Sequence, residues 1–234
     1  MTAGLFVTGT GTGVGKTFAT RALARALVRD GGRRVAALKP LETGCDPEPL
    51  DALALARACG RPELAHHRGL YRVAPPLAPY AATLEGHPAP PDPEQLAVTC
   101  RHLAREADVI LVEGAGGILV PLDGTRDLAD FARCLGLPIV LVARDALGVL
   151  SHVLTAVDSL RLRALDLAGV VLMPPPSGPA DPSRATNARI LADRLAPAWI
   201  VPFPPCADDD DALADTATTS GLLARALETL SHPP

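Results

Sequence analysis

Apolar residues along the chain fall into two alternating kinds of segment: short continuous runs, and longer stretches where they recur every three or four positions. Short runs mark strands buried on both faces, and the longer period marks amphipathic helices. The runs at residues 5–8, 34–39, 109–112, 139–142, 168–172 and 199–201 predict strands. Helical spacing covers residues 17–30, 51–58, 94–106, 127–134, 149–163 and 183–195, and a last helix is expected to start near Thr219. Gly31-Gly32 close the first helix and Pro40 stops the second strand. The alternation predicts an α/β fold: one doubly wound, mostly parallel sheet with helices on both faces, forming a single domain over residues 1–234.

Residues 61–93 interrupt the pattern. Pro75, Pro76, Pro79, Pro88, Pro90, Pro91 and Pro93 predict a surface excursion there rather than packed layers. Pro174-Pro175-Pro176 and Gly178 mark a second loop. The four consecutive aspartates at 208–211 read as a solvated loop or a helix start rather than a metal site.

Composition narrows the choice. Nearly half of the 234 residues are apolar but only 3% are aromatic, so the core must be built from Ala, Leu, Val and Ile. A net charge of −4 argues against a broad nucleic-acid surface. No run of about 18 apolar residues is present to span a membrane, and no basic-then-apolar leader opens the sequence. A cytoplasmic protein is expected. The five cysteines are scattered, without a C-x-x-C pair, and fit neither a disulfide framework nor a zinc site.

The strongest chemical signal lies between the first strand and the first helix: Gly9-Thr10-Gly11-Thr12-Gly13-Val14-Gly15-Lys16-Thr17. Glycines let the backbone turn its N–H groups around phosphate oxygens, and the helix that follows aims its positive end at the same anion. Lys16 then reaches the β- and γ-phosphates of ATP, and the Thr17 hydroxyl ligates Mg²⁺. The loop is one residue longer than the usual G-x-x-x-x-G-K spacing, because Thr10 stands where the first glycine is expected.

This extended loop, from Thr8 to Thr17, resembles that of the dethiobiotin synthetase family of P-loop enzymes. Lys39-Pro40-Leu41-Glu42-Thr43-Gly44 looks like the family's Lys-Pro…Ser/Thr-Gly segment. Asp51-Ala52-Leu53-Ala54-Leu55 is similar to its Asp-containing helix start, and Glu113-Gly114-Ala115-Gly116-Gly117 to its Glu-Gly-Ala-Gly-Gly loop. Leu147-Gly148 with Ser151-His152 is a weaker match to the helix start at the family's dimer contact.

The resemblance implies a reaction in which 7,8-diaminononanoate, CO₂ (or bicarbonate) and ATP give dethiobiotin, ADP and phosphate. It implies Lys39 and Lys16 as catalytic cations, and Gly13, Val14, Gly15, Lys16, Thr17, Glu113 and Gly116 around the nucleotide. Thr17, Asp51 and Glu113 are the implied Mg²⁺ ligands, although Asp51 also reads as a helix cap. Thr12 and Thr43 are implied substrate contacts, joined by Leu147, Gly148 and Ser151 from a second subunit of a homodimer. Two departures stand out. Gly13 replaces a frequent acidic residue, and Met173-Pro174-Pro175 replaces a frequent Asn that reads the adenine edge. Partition and septum-site ATPases are the nearest alternative, but they carry a signature lysine where Gly11 stands.

Overall fold

The computed structural model describes residues 2–175 and 181–232; Pro176 and Gly178 of the expected second loop lie outside them. Among the described residues the strands are β1 (Ala3–Gly9), β2 (Val35–Leu38), β3 (Leu41–Thr43), β4 (Tyr71–Val73), β5 (Val109–Gly117), β6 (Ile139–Arg144), β7 (Leu167–Met173) and β8 (Trp199–Pro202). The helices are α1 (Lys16–Arg29), α2 (Leu50–Ala58), α3 (Pro79–Leu84), α4 (Pro93–Leu103), α5 (Leu128–Leu135), α6 (Val149–Leu162), α7 (Arg184–Leu195), α8 (Asp210–Thr219) and α9 (Leu222–Ser231).

Six strands form one parallel sheet in the order β2-β5-β1-β6-β7-β8. Each expected run became one of them. Helices cover both faces: Leu141, Ala143, Val170 and Leu172 turn toward Val153 and Val157 of α6 and Leu191 and Leu195 of α7. The alternate residues Val140, Val142 and Val171 join the larger core that also takes in Leu23 and Leu27 of α1. One of the few aromatic pairs, Phe6 against Phe131, pins β1 to α5 edge-to-face at 5.7 Å.

The topology places the site. The connection leaving β1 runs to β2, past β5, whereas the connection leaving β5 runs to β6, past β1. Between two adjacent strands whose connections diverge, a crevice opens at the carboxyl edge. The glycine loops that follow β1 and form the end of β5 flank that crevice.

One expectation is corrected. Residues 61–93 are not a loose excursion: Pro62–His66 form a 3₁₀ turn, and β4 pairs in parallel with β3 as a second, two-stranded sheet. Leu64, Tyr71, Val73 and Ala82 of this region are buried in the core. Pro79 and Pro93 occupy the first position of α3 and α4, where the missing N–H has no helical partner to lose. Proline here punctuates elements instead of dissolving them.

The last helix, expected to start near Thr219, is α9, which begins after Gly221; Thr219 itself ends α8. The aspartate run supplies the start of α8: the Asp209 carboxylate caps it by accepting from the Ala212 N–H at 2.9 Å. Its neighbours meet a ladder of arginines one turn apart on α1. Arg21 bonds Asp208 and Asp210, Arg25 bonds Asp211, and Arg29 bonds Asp215.

Candidate active site

The loop after β1 is shaped by backbone. Gly13 and Gly15 take positive φ, 71° and 99°, the left-handed region that side chains resist. Gly15 is the N-cap of α1 and has no side chain to satisfy the first-turn N–H groups, which leaves them for an anion. A Cβ at Gly15 would also lie 2.8 Å from Met173 Cγ, so the tight approach of β7 admits only glycine. Lys16 curls back over the loop and donates from Nζ to the Gly11 carbonyl at 2.9 Å. Burial, with a contribution from the nearby Lys39 charge, lowers its pKa to about 8.

Facing the loop is a cluster made of side chains. Glu113 stands opposite Val7 in the β1–β5 pairing and is fully buried. Its Oε1 accepts from Thr17 Oγ1 at 3.0 Å and from Lys39 Nζ at 2.5 Å. Its Oε2 is buried and has no partner among the described residues. Lys39 directly follows β2, is 5% exposed, and also donates to Asp51 Oδ2 at 3.1 Å. Burial works against its charge, but the Glu113 and Asp51 carboxylates outweigh it and hold its pKa above the ordinary lysine value.

Asp51 had two readings from sequence, cap or site residue. The N-cap of α2 is Pro49, which offers no side-chain bond, and the Asp51 carboxylate turns to Lys39. The first N–H groups of α2 go elsewhere: Glu42 on β3 accepts from Asp51 N at 2.8 Å and from Ala52 N at 2.9 Å. Burial raises the Glu42 carboxyl above the usual carboxylate range. Sequence reasoning passed over Glu42, because its partners lie nine and ten positions away across an irregular loop.

Loop and cluster open into one cleft of about 720 Å³. Thr12, Thr43, Lys16, Thr17, Lys39 and Asp51 line its polar end, with Gly13, Gly15 and Gly116 as backbone wall. Phe18, Leu50, Ala54, Leu77 and Val120 give it an apolar side. Val14 is half-buried and lies against the loop's own Gly9. Leu147, Gly148 and Ser151 are exposed and do not border this cleft; Gly148 is the N-cap of α6.

No group of three or more His, Cys, Asp or Glu among the described residues is arranged to hold a metal. The Thr17 hydroxyl with the Asp51 and Glu113 carboxylates is nevertheless an all-oxygen set. The unpartnered Glu113 Oε2 is an acceptor that needs a cation or donor. Such a set fits Mg²⁺, which takes few protein ligands and completes its octahedron from phosphate and water.

A family model described as an AAA domain matches residues 3–195. The ATP-dependent dethiobiotin synthetase BioD of Anaeromyxobacter dehalogenans (strain 2CP-1) is 42% identical over 208 residues, 86% of this chain and 91% of the relative. That of Caulobacter vibrioides (strain NA1000) is 43% identical over 174 residues, 72% of this chain and 78% of its own. That of Frankia casuarinae is 44% identical over 193 residues, covering 82% and 78%. Among solved structures, the cell division ATPase MinD of Pyrococcus furiosus superposes with a TM-score of 0.55 at 20% identity, covering 98% of this chain and all of that one. The pNOB8 ParA bound to nonspecific DNA gives 0.59 at 13% identity, covering both chains fully. At such identities these two structures speak for the P-loop fold alone.

Proposed function

The chain belongs to the ATP-dependent dethiobiotin synthetase family of ligase-type enzymes, and from that premise we propose that it closes the ureido ring of dethiobiotin from 7,8-diaminononanoate, CO₂ and MgATP. The observation that carries the reading is the Lys39 ammonium held between Glu113 and Asp51 in the cleft that the phosphate loop also lines.

One amine of the substrate adds to CO₂ and loses a proton, giving a carbamate. A carbamate oxygen then attacks the γ-phosphorus as the bond to ADP breaks, forming a carbamic–phosphoric anhydride. The second amine attacks the carbonyl carbon, phosphate leaves with the C–O electron pair, and a proton is lost as the ring closes. The phosphoryl transfer gains chiefly from in-line placement, and both steps gain from neutralising oxygen charge. The loop N–H groups and Lys16 hold the β- and γ-phosphates, and Lys39 contacts both the carbamate and the γ-phosphate. Thr12 and Thr43 hydrogen-bond the diamine or carbamate. Thr17, Asp51 and Glu113 would hold Mg²⁺, whose charge offsets that of the transferring phosphoryl group when bound.

The apolar side of the cleft suits the aliphatic chain of the substrate. Donors for its distal carboxylate come, in this reading, from Leu147, Gly148 and Ser151 of a second subunit; Leu147 is 84% exposed in the single chain, as an interface residue would be. The working unit is then a cytoplasmic homodimer. With Met173-Pro174 where many relatives carry Asn, the adenine edge lacks that side-chain reader. CTP, GTP and UTP are therefore expected to replace ATP with modest losses, and a steep ATP preference in competition would count against this. The switch-ATPase alternative has the shared fold in its favour but not the signature lysine, because Gly11 stands there.

The test is phosphate release with MgATP and bicarbonate, with and without 7,8-diaminononanoate, alongside mass spectrometry of the product. Diamine-dependent release with a product heavier by CO₂ minus water is the expected result. Turnover indifferent to the diamine would overturn the reaction.

A further inference from the structure

Asp51 sits at the second position of α2, and nothing local fixes where that helix begins. Residues 44–49 form neither helix nor strand, and the N-cap Pro49 has no side-chain acceptor. What anchors the start is Glu42, 7% exposed, whose two carboxylate oxygens take one N–H each from Asp51 and Ala52. An anion there also complements the positive end of the helix. Across the two-stranded sheet Glu42 is paired with Arg72. Arg72 reaches the Pro40 carbonyl at 3.3 Å and the Ala65 carbonyl at 3.3 Å, and so grips the residue next to Lys39. The small sheet thus holds both partners of the Lys39–Asp51 ion pair from behind.

We propose that Glu42 is a positioning residue of the active site: by capping α2 from β3 it fixes the Asp51 carboxylate where Lys39 and a divalent cation meet it. This rests on the reading of Asp51 as a cation ligand. A carboxylate suits the task and an amide does not. Gln offers one acceptor oxygen, and its NH₂ would face a backbone N–H, donor against donor. Glu42 also borders the cleft, but both its carboxylate oxygens are engaged by N–H groups of α2, so its effect travels through the backbone of Asp51.

The experiment titrates Mn²⁺ into the full chain with saturating ADP, following free Mn²⁺ by electron paramagnetic resonance, for wild type, Glu42→Gln and Glu42→Ala. Metal-free ADP binding is measured by calorimetry on the same samples. Mn²⁺ affinity is expected to fall about tenfold in both variants, the size of one lost helix cap, while metal-free ADP affinity stays within about twofold because Lys16 and the loop are untouched. Glu42→Gln keeps the volume, so the test survives if the alanine variant fails to fold. Mn²⁺ affinity close to wild type in a folded variant overturns the proposal, and so does an equal fall in metal-free ADP affinity, which would mean general damage. No diamine enters this measurement. Failure of the ureido-ring reaction is seen only in the phosphate-release assay, so the two conclusions fall separately.

Discussion

The phosphate loop and the carboxylate cluster line one cleft, yet they are made of different materials. The loop is contiguous and works through backbone: positive φ at Gly13 and Gly15, unfilled first-turn N–H groups, one lysine folded over it. The cluster gathers single side chains from three distant places, Lys39, Asp51 and Glu113, and each needs support from further away. A backbone site tolerates changes of side chain and fails when φ or close approach is disturbed. A side-chain site behaves in the opposite way. It also binds its own members tightly, because buried charges without partners are costly.

The largest expected effect breaks the cluster. In the proposed reaction Lys39→Ala removes a cation from the transferring group, and it leaves the buried Glu113 carboxylate without its ammonium partner. Turnover in the diamine-dependent assay should fall about 10² to 10³-fold. Unfolding in denaturant should register a loss of about 3–5 kcal/mol, as for other broken buried pairs. Unchanged stability would mean that the ion pair is worth little in this fold.

Next in size is Gly15→Ala, which attacks the loop without touching any charge. A left-handed alanine costs about 1–2 kcal/mol, and the collision with Met173 adds about 1–3 kcal/mol of overpacking. ADP affinity measured by calorimetry should drop at least about tenfold. A variant that binds normally would show that β7 yields more readily than its packing suggests.

Proton linkage gives a smaller, graded test. Lys16 is lowered from 10.5 to about 8 on folding, so between these values the unfolded chain holds the proton more firmly. Its contribution to stability therefore rises with pH across that window, while the proposed contact of Lys16 with phosphate needs the charged form. Above about pH 8 metal-free ADP binding should take up a proton and weaken by up to about tenfold per pH unit. Calorimetry in buffers of different ionisation enthalpy measures that uptake. A flat response through pH 9.5 would remove Lys16 from the phosphate contact.

The smallest expected change is Gly13→Ala. Its φ is 71° but nothing lies within 4 Å of an added Cβ, so only the backbone strain of about 1–2 kcal/mol applies. ADP affinity should fall about fivefold, the size of the lower end of that strain, a loss governed by φ alone. A collapse comparable to Gly15→Ala would place an unseen constraint on that side of the loop.

The same contrast explains what could be read from sequence. All six central strands were legible because each is a continuous apolar run, and the loop because its glycines and lysine are adjacent in the chain. Asp51 remained ambiguous because its role depends on whether another group caps α2, and that group is Glu42, in a strand of three residues. Such a strand is too short for any period to emerge. Prolines concealed β4 and α3, and the aspartate run, read as a solvated loop or a helix start, gave no sign of the arginines of α1 that stand opposite it. In each case the missing information was a partner far away in sequence.

The arginine ladder on α1 answers a problem set by composition. Among the residues that α1 and α8 bury, alanine is the commonest: Ala19, Ala22, Ala24 and Ala26 beside Leu23 and Leu27 on one, Ala214 and Ala217 beside Leu213 on the other. Smooth faces of this kind bind well but have few knobs to stop one helix sliding along the other. Arg21, Arg25 and Arg29 recur every turn, and their aspartate partners recur with them, so a slip of about half a turn, about 2.7 Å, would part every rung. The ladder indexes one helix against the other. Since α1 begins at Lys16, the register held by α8 is also the register of that lysine against the crevice.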